Sequence, residues 1–278
     1  MDKHINILVR AALDEDIGSG DLTADLIPDS AQAHAVLISR EAAVLCGMPW
    51  FNAVFAAVDD SLELNWFAEE GACLQVDQKV CEIKGKARSI LTAERTAINL
   101  LQTLSGTATV TQHYVEQVQG LNTRILDTRK TIPGMRLAQK YAAKTGGAVN
   151  HRLGLYDGVL IKENHIRAAG SITAAFEQAR RSTPDGVLLE VEVENHAEMQ
   201  QAVEAGAKRI LLDNFTLGEL RIAVRQKPDD VTLEASGNVT LETLREIAQT
   251  GVDYISVGAL TKHLRAVDFS LQFTLNKY

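Results

Sequence analysis

Aromatic residues make up only 5% of the 278, prolines number five, and the cysteines are just three. So few prolines leave little room for extended disordered linkers. Cys46, Cys73 and Cys81 form no CxxC and have no histidines at metal-ligand spacing, which excludes a zinc-ribbon or redox-motif reading and leaves buried, reduced thiols as the expectation. No apolar run approaches the roughly 20 residues of a membrane helix. The start, MDKHINILVRAALDEDIG, carries acids where a secretory leader carries bases, so a cytoplasmic location is expected. Surplus positive charge is missing too. A net charge of -8 argues against a nucleic-acid surface, which draws on clustered Lys and Arg.

What is present is an ordinary folded composition, 46% hydrophobic and 23% charged, on a chain long enough for a well-buried core. Its charge is unevenly spread. From Arg124 to Arg167 there are nine Lys and Arg against three acids, a local net of +6, so the rest of the chain carries -14. A basic island in an acidic protein suggests a small anionic ligand. A solvated helix face would equally account for Arg136, Lys140 and Lys144, spaced four apart.

Two regions read differently. Residues 1–105 combine an N-terminal helix, an apolar run AHAVLIS and the glycine-punctuated stretch EEGACLQVDQKVCEIKG, an α+β pattern. A long helical pattern follows from Arg88 to Gln119, with a break expected at Ser105-Gly106. Thereafter six short strand candidates, 123–127, 158–162, 186–192, 208–213, 231–235 and 252–258, alternate with amphipathic helices. Such alternation implies βαβ units and a parallel sheet, either doubly wound or closed toward a barrel. A barrel is favoured because nearly every strand candidate ends in a polar group, and parallel barrels gather strand ends at one mouth. The expected division is 1–105 as one domain, 106–266 as a catalytic barrel, and 267–278 packing back on the first.

Several clusters carry chemistry. In Asp127-Thr128-Arg129-Lys130-Thr131, neighbouring side chains on extended backbone point apart, so Arg129 and Lys130 are expected to address two different anions. Gly146-Gly147-Ala148-Val149-Asn150-His151-Arg152 is a glycine-rich approach to a second basic pair, in which Arg152 offers a fork matched to a carboxylate. His151 reads either as a ligand or as a structural histidine bonded to backbone. Lys162, ending an apolar strand, is an anion ligand, a Schiff-base nucleophile, or half of an ion pair.

In Glu190-Val191-Glu192-Val193-Glu194 all three acids share one face, which is unfavourable unless cations or a metal lie opposite. Glu192 with Asp213 suits a magnesium-bound polyanion or ribose hydroxyls, while Glu190 and Glu194 read as a solvated edge. Ser236-Gly237-Asn238 and Val257-Gly258-Ala259 each sit between a strand and a helix, where backbone N–H groups bind phosphate.

Taken in order, LTAERTAINLLQTLSG, LDTRKTIPGMR, KTGGAVNHRLGLYDGVLIKENHI, VEVEN, LLDNF, LEASGN and DYISVGALTKH resemble the quinolinate phosphoribosyltransferase family across most of the chain. The resemblance implies an open (incomplete) α/β barrel with an N-terminal α/β sandwich domain. It implies transfer of phosphoribosyl from phosphoribosyl pyrophosphate to quinolinate with loss of carbon dioxide, giving nicotinate mononucleotide for NAD biosynthesis, with Mg2+. It also implies a homodimer in which Arg95 completes the partner's site. Arg129, His151, Arg152 and Lys162, with Thr128 beside them, match the family's quinolinate set. Lys130, Glu192, Asp213, Ser236, Gly237, Asn238, Val257, Gly258 and Ala259 match its phosphoribosyl pyrophosphate and magnesium set. Lys130, Lys162, Glu192 and Asp213 are the expected catalytic residues.

Overall fold

The computed structural model describes residues 1–275. In chain order the elements are α1 (Asp2–Ile17), β1 (Gln32–Ser39), β2 (Ala43–Val44), α2 (Met48–Val58), β3 (Glu63–Trp66), β4 (Cys73–Leu74), β5 (Gln78–Lys86) and α3 (Ala87–Gln117). Next come β6 (Arg124–Leu126), α4 (Arg136–Thr145), β7 (Gly158–Ile161), α5 (Glu163–Ala169), α6 (Ile172–Ser182), β8 (Leu188–Val193), α7 (His196–Glu204) and β9 (Arg209–Asp213). The chain ends with α8 (Leu217–Gln226), β10 (Thr232–Ser236), α9 (Leu241–Ala248), β11 (Tyr254–Ser256), α10 (Ala259–Lys262) and β12 (Phe269–Leu275). These divide into two compact units. One takes Met1–Gln112, Ile132–Gly147 and the chain from His263; the other takes His113–Thr131 and Ala148–Lys262.

The first unit is organised by an antiparallel sheet in the order β12-β1-β5-β3. Burial alternates along β1, so Ala33, Ala35 and Leu37 enter the core while His34 and Val36 do not. Phe51, Phe55 and Trp50 of α2 and Ile90, Leu101 and Leu104 of α3 complete that core. The break expected at Ser105-Gly106 does not occur, and α3 runs unbroken through it. Both residues are there for packing. The Ser105 hydroxyl bonds the backbone of Cys46 on both sides, and a Cβ on Gly106 would lie 2.2 Å from the carbonyl oxygen of Arg265. Lys140 is buried at 1% exposure, so a solvated face of α4 is not the arrangement found. All three cysteines are free, but only Cys46 and Cys81 are buried; Cys73, on a two-stranded ribbon, is exposed.

The second unit is a six-stranded, wholly parallel sheet in the order β6-β11-β10-β9-β8-β7. Its edge strands β6 and β7 do not pair with each other, leaving an open, incomplete α/β barrel. The covering helices start where the sequence places capping side chains. Ser171, Asn195, Thr216 and Thr240 each accept a backbone N–H from three residues on. One sheet face carries Ile161, Val191, Val193, Ile210, Leu212, Leu233, Ala235 and Ile255, all buried. Register places Leu160, Glu190, Glu192, Arg209, Leu211, Asp213, Glu234 and Ser236 on the other face. The inner face of this barrel is therefore polar where barrels usually stack aliphatic layers. No helix among the described residues is long and apolar enough to cross a membrane.

Candidate active site

The inner face opens into a cavity of about 330 Å³. Its floor comes from the strands, with Leu160, Glu192, Leu211, Glu234, Ser236 and Ser256. Its rim is cationic: Arg129 and Lys130 follow β6, Arg152 follows His151, and Lys162 follows β7. Asp127, fully buried, ties this rim together by accepting from Asn150 Nδ2 at 2.6 Å and from the His151 backbone N–H at 2.9 Å. Arg129, Arg152 and Lys162 also line a second, larger cavity of about 590 Å³ between β7 and helices α5 and α6.

Two guanidiniums, those of Arg129 and Arg152, line this cavity together. Burial, and then the neighbouring Arg129 charge, pull the pKa of Arg152 below its ordinary value. Arg152 Nη1 spends one donor on the Gly158 carbonyl at 3.1 Å. Arg129 Nε is buried with no hydrogen-bond partner. An unsatisfied buried donor beside a like charge is costly in isolation and favourable once an anion arrives.

Beneath this rim lies a buried ionic layer. Arg209 Nε donates to Glu190 Oε1 at 3.1 Å and its Nη2 to Glu234 Oε2 at 2.8 Å. His151 Nε2 sits 3.0 Å from Glu190 Oε2, while its Nδ1 accepts the Arg152 backbone N–H at 2.7 Å. This corrects the reading of Glu190 as a solvated edge: it has no exposed surface. Glu194 lies past the end of β8 and is exposed. The ligand atoms of His151, Glu190 and Glu234 lie within 4.8 Å of one another, yet a divalent cation there would face the guanidinium that already bonds both carboxylates. The layer is an ion network, and its donor set does not fit a metal. Arg209 was not a sequence candidate. Its signal was parity: it lies four residues before Asp213 in one strand and so shares that residue's face.

Of the sequence candidates, Thr128, Arg129, Lys130, His151, Arg152, Lys162, Glu192 and Ser236 meet around one cavity. Arg129 and Lys130 both line this cavity, and Arg129 also lines the larger one; the chain bends there, with Thr131 N–H bonding the Arg129 carbonyl at 3.0 Å and Lys130 N–H the Thr128 hydroxyl at 3.1 Å. Lys162 is half-exposed and ion-paired to Glu192, the arrangement of a cation; a Schiff-base lysine would be desolvated and uncharged. Gly146 and Gly147 close α4 in the first unit and do not line the cavity. Asp213 ends β9 with Asn214 Nδ2 donating to it at 2.8 Å.

The Ser236–Asn238 turn folds onto Asn214. A Cβ on Gly237, at φ 103°, would lie 2.1 Å from Asn214 Oδ1, so only glycine fits. Gly258 rests against the Lys130 and Thr128 side chains, and the Thr261 hydroxyl bonds the Lys130 carbonyl at 2.7 Å. As expected, each turn lies between a strand and a helix: Ser236–Asn238 between β10 and α9, whose N-cap is Thr240, and Val257–Ala259 between β11 and the four-residue α10. Arg95 lies on α3 in the first unit, exposed to solvent.

Comparison with known proteins gives two family models that together span most of the chain. Residues 21–105 match the quinolinate phosphoribosyl transferase N-terminal domain, and residues 107–272 match the C-terminal domain of the same family. A solved nicotinate-nucleotide pyrophosphorylase from Francisella tularensis is 47% identical, covers 99% of this chain and 97% of its own, and superposes with a TM-score of 0.95. A probable nicotinate-nucleotide pyrophosphorylase (carboxylating) from Synechocystis is 42% identical over 95% of this chain and 90% of its own length. A counterpart of the same name from Bacillus subtilis is 38% identical over 94% and 91%.

Proposed function

The chain belongs to the quinolinate phosphoribosyltransferase family, and from that premise we propose how its cavity carries out the family reaction. The reaction transfers phosphoribosyl from phosphoribosyl pyrophosphate to the nitrogen of quinolinate with decarboxylation, yielding nicotinate mononucleotide, pyrophosphate and carbon dioxide for NAD synthesis. One observation carries the reading of the site: the unpartnered, buried Nε of Arg129 beside the Arg152 guanidinium. Two planar forks in one cavity, one of them with a buried donor unspent, suit a rigid dicarboxylate.

Arg129, Arg152 and Lys162 grip the quinolinate carboxylates, with Thr128 and His151 shaping the same wall. The pyridine nitrogen is itself the nucleophile, so the protein needs no general base and works by positioning and charge. Lys130 and the turns Ser236–Asn238 and Val257–Ala259 take the phosphate groups. As pyrophosphate departs, positive charge develops at the ribose, and Glu192 and Asp213 offset it. After ribosylation the cationic ring nitrogen stabilises the electron pair left when the adjacent carboxylate is lost. A cation gripping that carboxylate would oppose its departure, so the firmest Arg contacts go to the carboxylate at ring position 3.

Glu192 and Asp213 fit a magnesium-bound substrate, because they are hard oxygen donors and magnesium is commonly held by one or two carboxylates together with substrate phosphates. Magnesium, when bound, supplies charge neutralisation at the pyrophosphate. The working assembly is a homodimer in which Arg95, solvent-exposed in this chain, enters the partner's cavity. Three free thiols suit a cytoplasmic setting. The test is to supply phosphoribosyl pyrophosphate, magnesium and carboxyl-labelled quinolinate. Labelled carbon dioxide and pyrophosphate released in equal amounts, dependent on magnesium, is the expected result; pyrophosphate without labelled carbon dioxide refutes it.

A further inference from the structure

The ionic layer beneath the cavity leaves one buried carboxylate oxygen unsatisfied. Glu190 and Glu234 are both fully buried, and the Arg209 guanidinium hydrogen-bonds to both. The His151 Nδ1 accepts the Arg152 backbone N–H, and its Nε2 faces both acids, 3.0 Å from Glu190 Oε2 and 3.5 Å from Glu234 Oε2. Two buried carboxylates thus share the hydrogen bonds of one guanidinium, and one carboxylate oxygen, Glu234 Oε1, is left without a partner. Buried uncompensated charge is relieved most readily by taking a proton.

The two acids are not equivalent. Glu190 has one oxygen on Arg209 and the other on His151. Burial pushes its pKa up, but those two partners outweigh burial and hold it below the ordinary range. Glu234 has one oxygen on Arg209, while its Oε1 is buried without a partner. Burial first, and then the Glu190 charge, push the Glu234 carboxyl up to about 7. Glu234 also forms part of the wall of the cavity that holds Arg129, Lys130, Arg152, Lys162 and Glu192. From β11, the Tyr254 ring lies 3.9 Å from the Arg209 guanidinium and keeps that cation in place.

We propose that Glu234 stores a proton on its unpartnered Oε1, and that binding of the dianionic pyridine dicarboxylate draws this proton from solvent whenever the free enzyme has lost it. The inference rests on the reading that the Arg129 and Arg152 rim takes quinolinate. In the empty cavity the rim cations favour ionised Glu234. An arriving dianion neutralises them, so the Glu234 carboxylate loses that support and an O–H bond forms at Oε1, the proton coming from a buffer acid. Glu234 is thus a positioning residue: neutral, it leaves the floor of an anion site without an opposing charge. Affinity for quinolinate is then level below the free-enzyme pKa and falls above it, by up to about tenfold per pH unit.

Calorimetry on the intact enzyme tests this, titrating quinolinate near pH 8 in phosphate and in Tris, whose ionisation enthalpies differ. The expected result is a buffer-dependent heat corresponding to uptake of a large fraction of one proton, shrinking toward zero near pH 6. Glu234→Gln, neutral at every pH, is expected to bind with no buffer dependence and with an affinity that no longer falls between about pH 6.5 and 8.5. Equal heats in the two buffers at pH 8 overturn the proposal. Undiminished proton uptake by Glu234→Gln overturns it as well, moving the proton elsewhere in the layer. If that variant fails to fold, the two-buffer comparison on the unaltered enzyme still decides. Absence of saturable quinolinate binding, with pyrophosphate and magnesium present or not, overturns the functional reading itself.

Discussion

Arg209→Met is the most informative single change in the barrel. Methionine keeps the aliphatic bulk while removing bonds of 3.1 Å to Glu190 and 2.8 Å to Glu234. Bonds between charged groups contribute about 1.5–3 kcal/mol each, and stranding a buried partner costs about 3–5 kcal/mol. Arg209 retains 16% side-chain exposure, which favours the lower part of that range, so about 3–4 kcal/mol is expected near pH 8. The sign with pH follows from the stranded acids. Without Arg209 their folded-state pKa values rise above the unfolded values, so the folded state binds more protons and stability falls as pH rises. The deficit should therefore shrink toward pH 5. Denaturant unfolding, together with hydrogen exchange in β8, β9 and β10, measures it. Adding Glu190→Gln and Glu234→Gln to the same chain should recover most of the loss. A loss below about 1 kcal/mol, or no recovery in the triple variant, refutes the account of the layer as an interdependent ion network.

Three other outcomes follow from the rim. Arg129→Ala should cost about 2–5 kcal/mol in kcat/KM for quinolinate, the range for losing one partner of a desolvated charge pair; unchanged kinetics would remove Arg129 from the site. Pyridine monocarboxylates as competitive inhibitors should show that losing the 3-carboxylate weakens binding more than losing the 2-carboxylate, and the reverse order would reverse the assignment of the arginines. Mixing inactive Arg95→Ala with inactive Lys162→Ala chains should restore part of the activity, since one site in a mixed dimer is intact. No rescue, with mixed dimers demonstrated, would place Arg95 in its own chain's site.

Short β-branched or Leu-rich runs alternating with amphipathic helical stretches made the barrel's strands legible, because each strand buries apolar side chains beneath its covering helices. Less legible was the local backbone after β6. The bend that turns Arg129 and Lys130 into one cavity depends on the Thr128 hydroxyl and on support from Thr261, far along the chain. Ser105-Gly106 read as a break because serine and glycine are poor helix formers. Contacts with Cys46 and Arg265, unknowable from local sequence, decide otherwise.

The three acids of Glu190-Val191-Glu192-Val193-Glu194 show where the limit lies. Sharing a face is fixed by alternation, but each step of two residues moves about 6.6 Å along the strand. Along β8 that distance separates three environments. Glu190 sits in the closed layer with Arg209, Glu192 at the cavity with Lys162, and Glu194 beyond the strand in solvent. Identical side chains thus become a buried network member, a candidate catalytic carboxylate and a surface charge through depth alone. Depth is set by how neighbouring strands stagger, which no single strand encodes. The neighbouring strand resolves it: Arg209 bonded to Glu190 and Leu211 opposite Glu192 mark which row is closed and which opens to substrate.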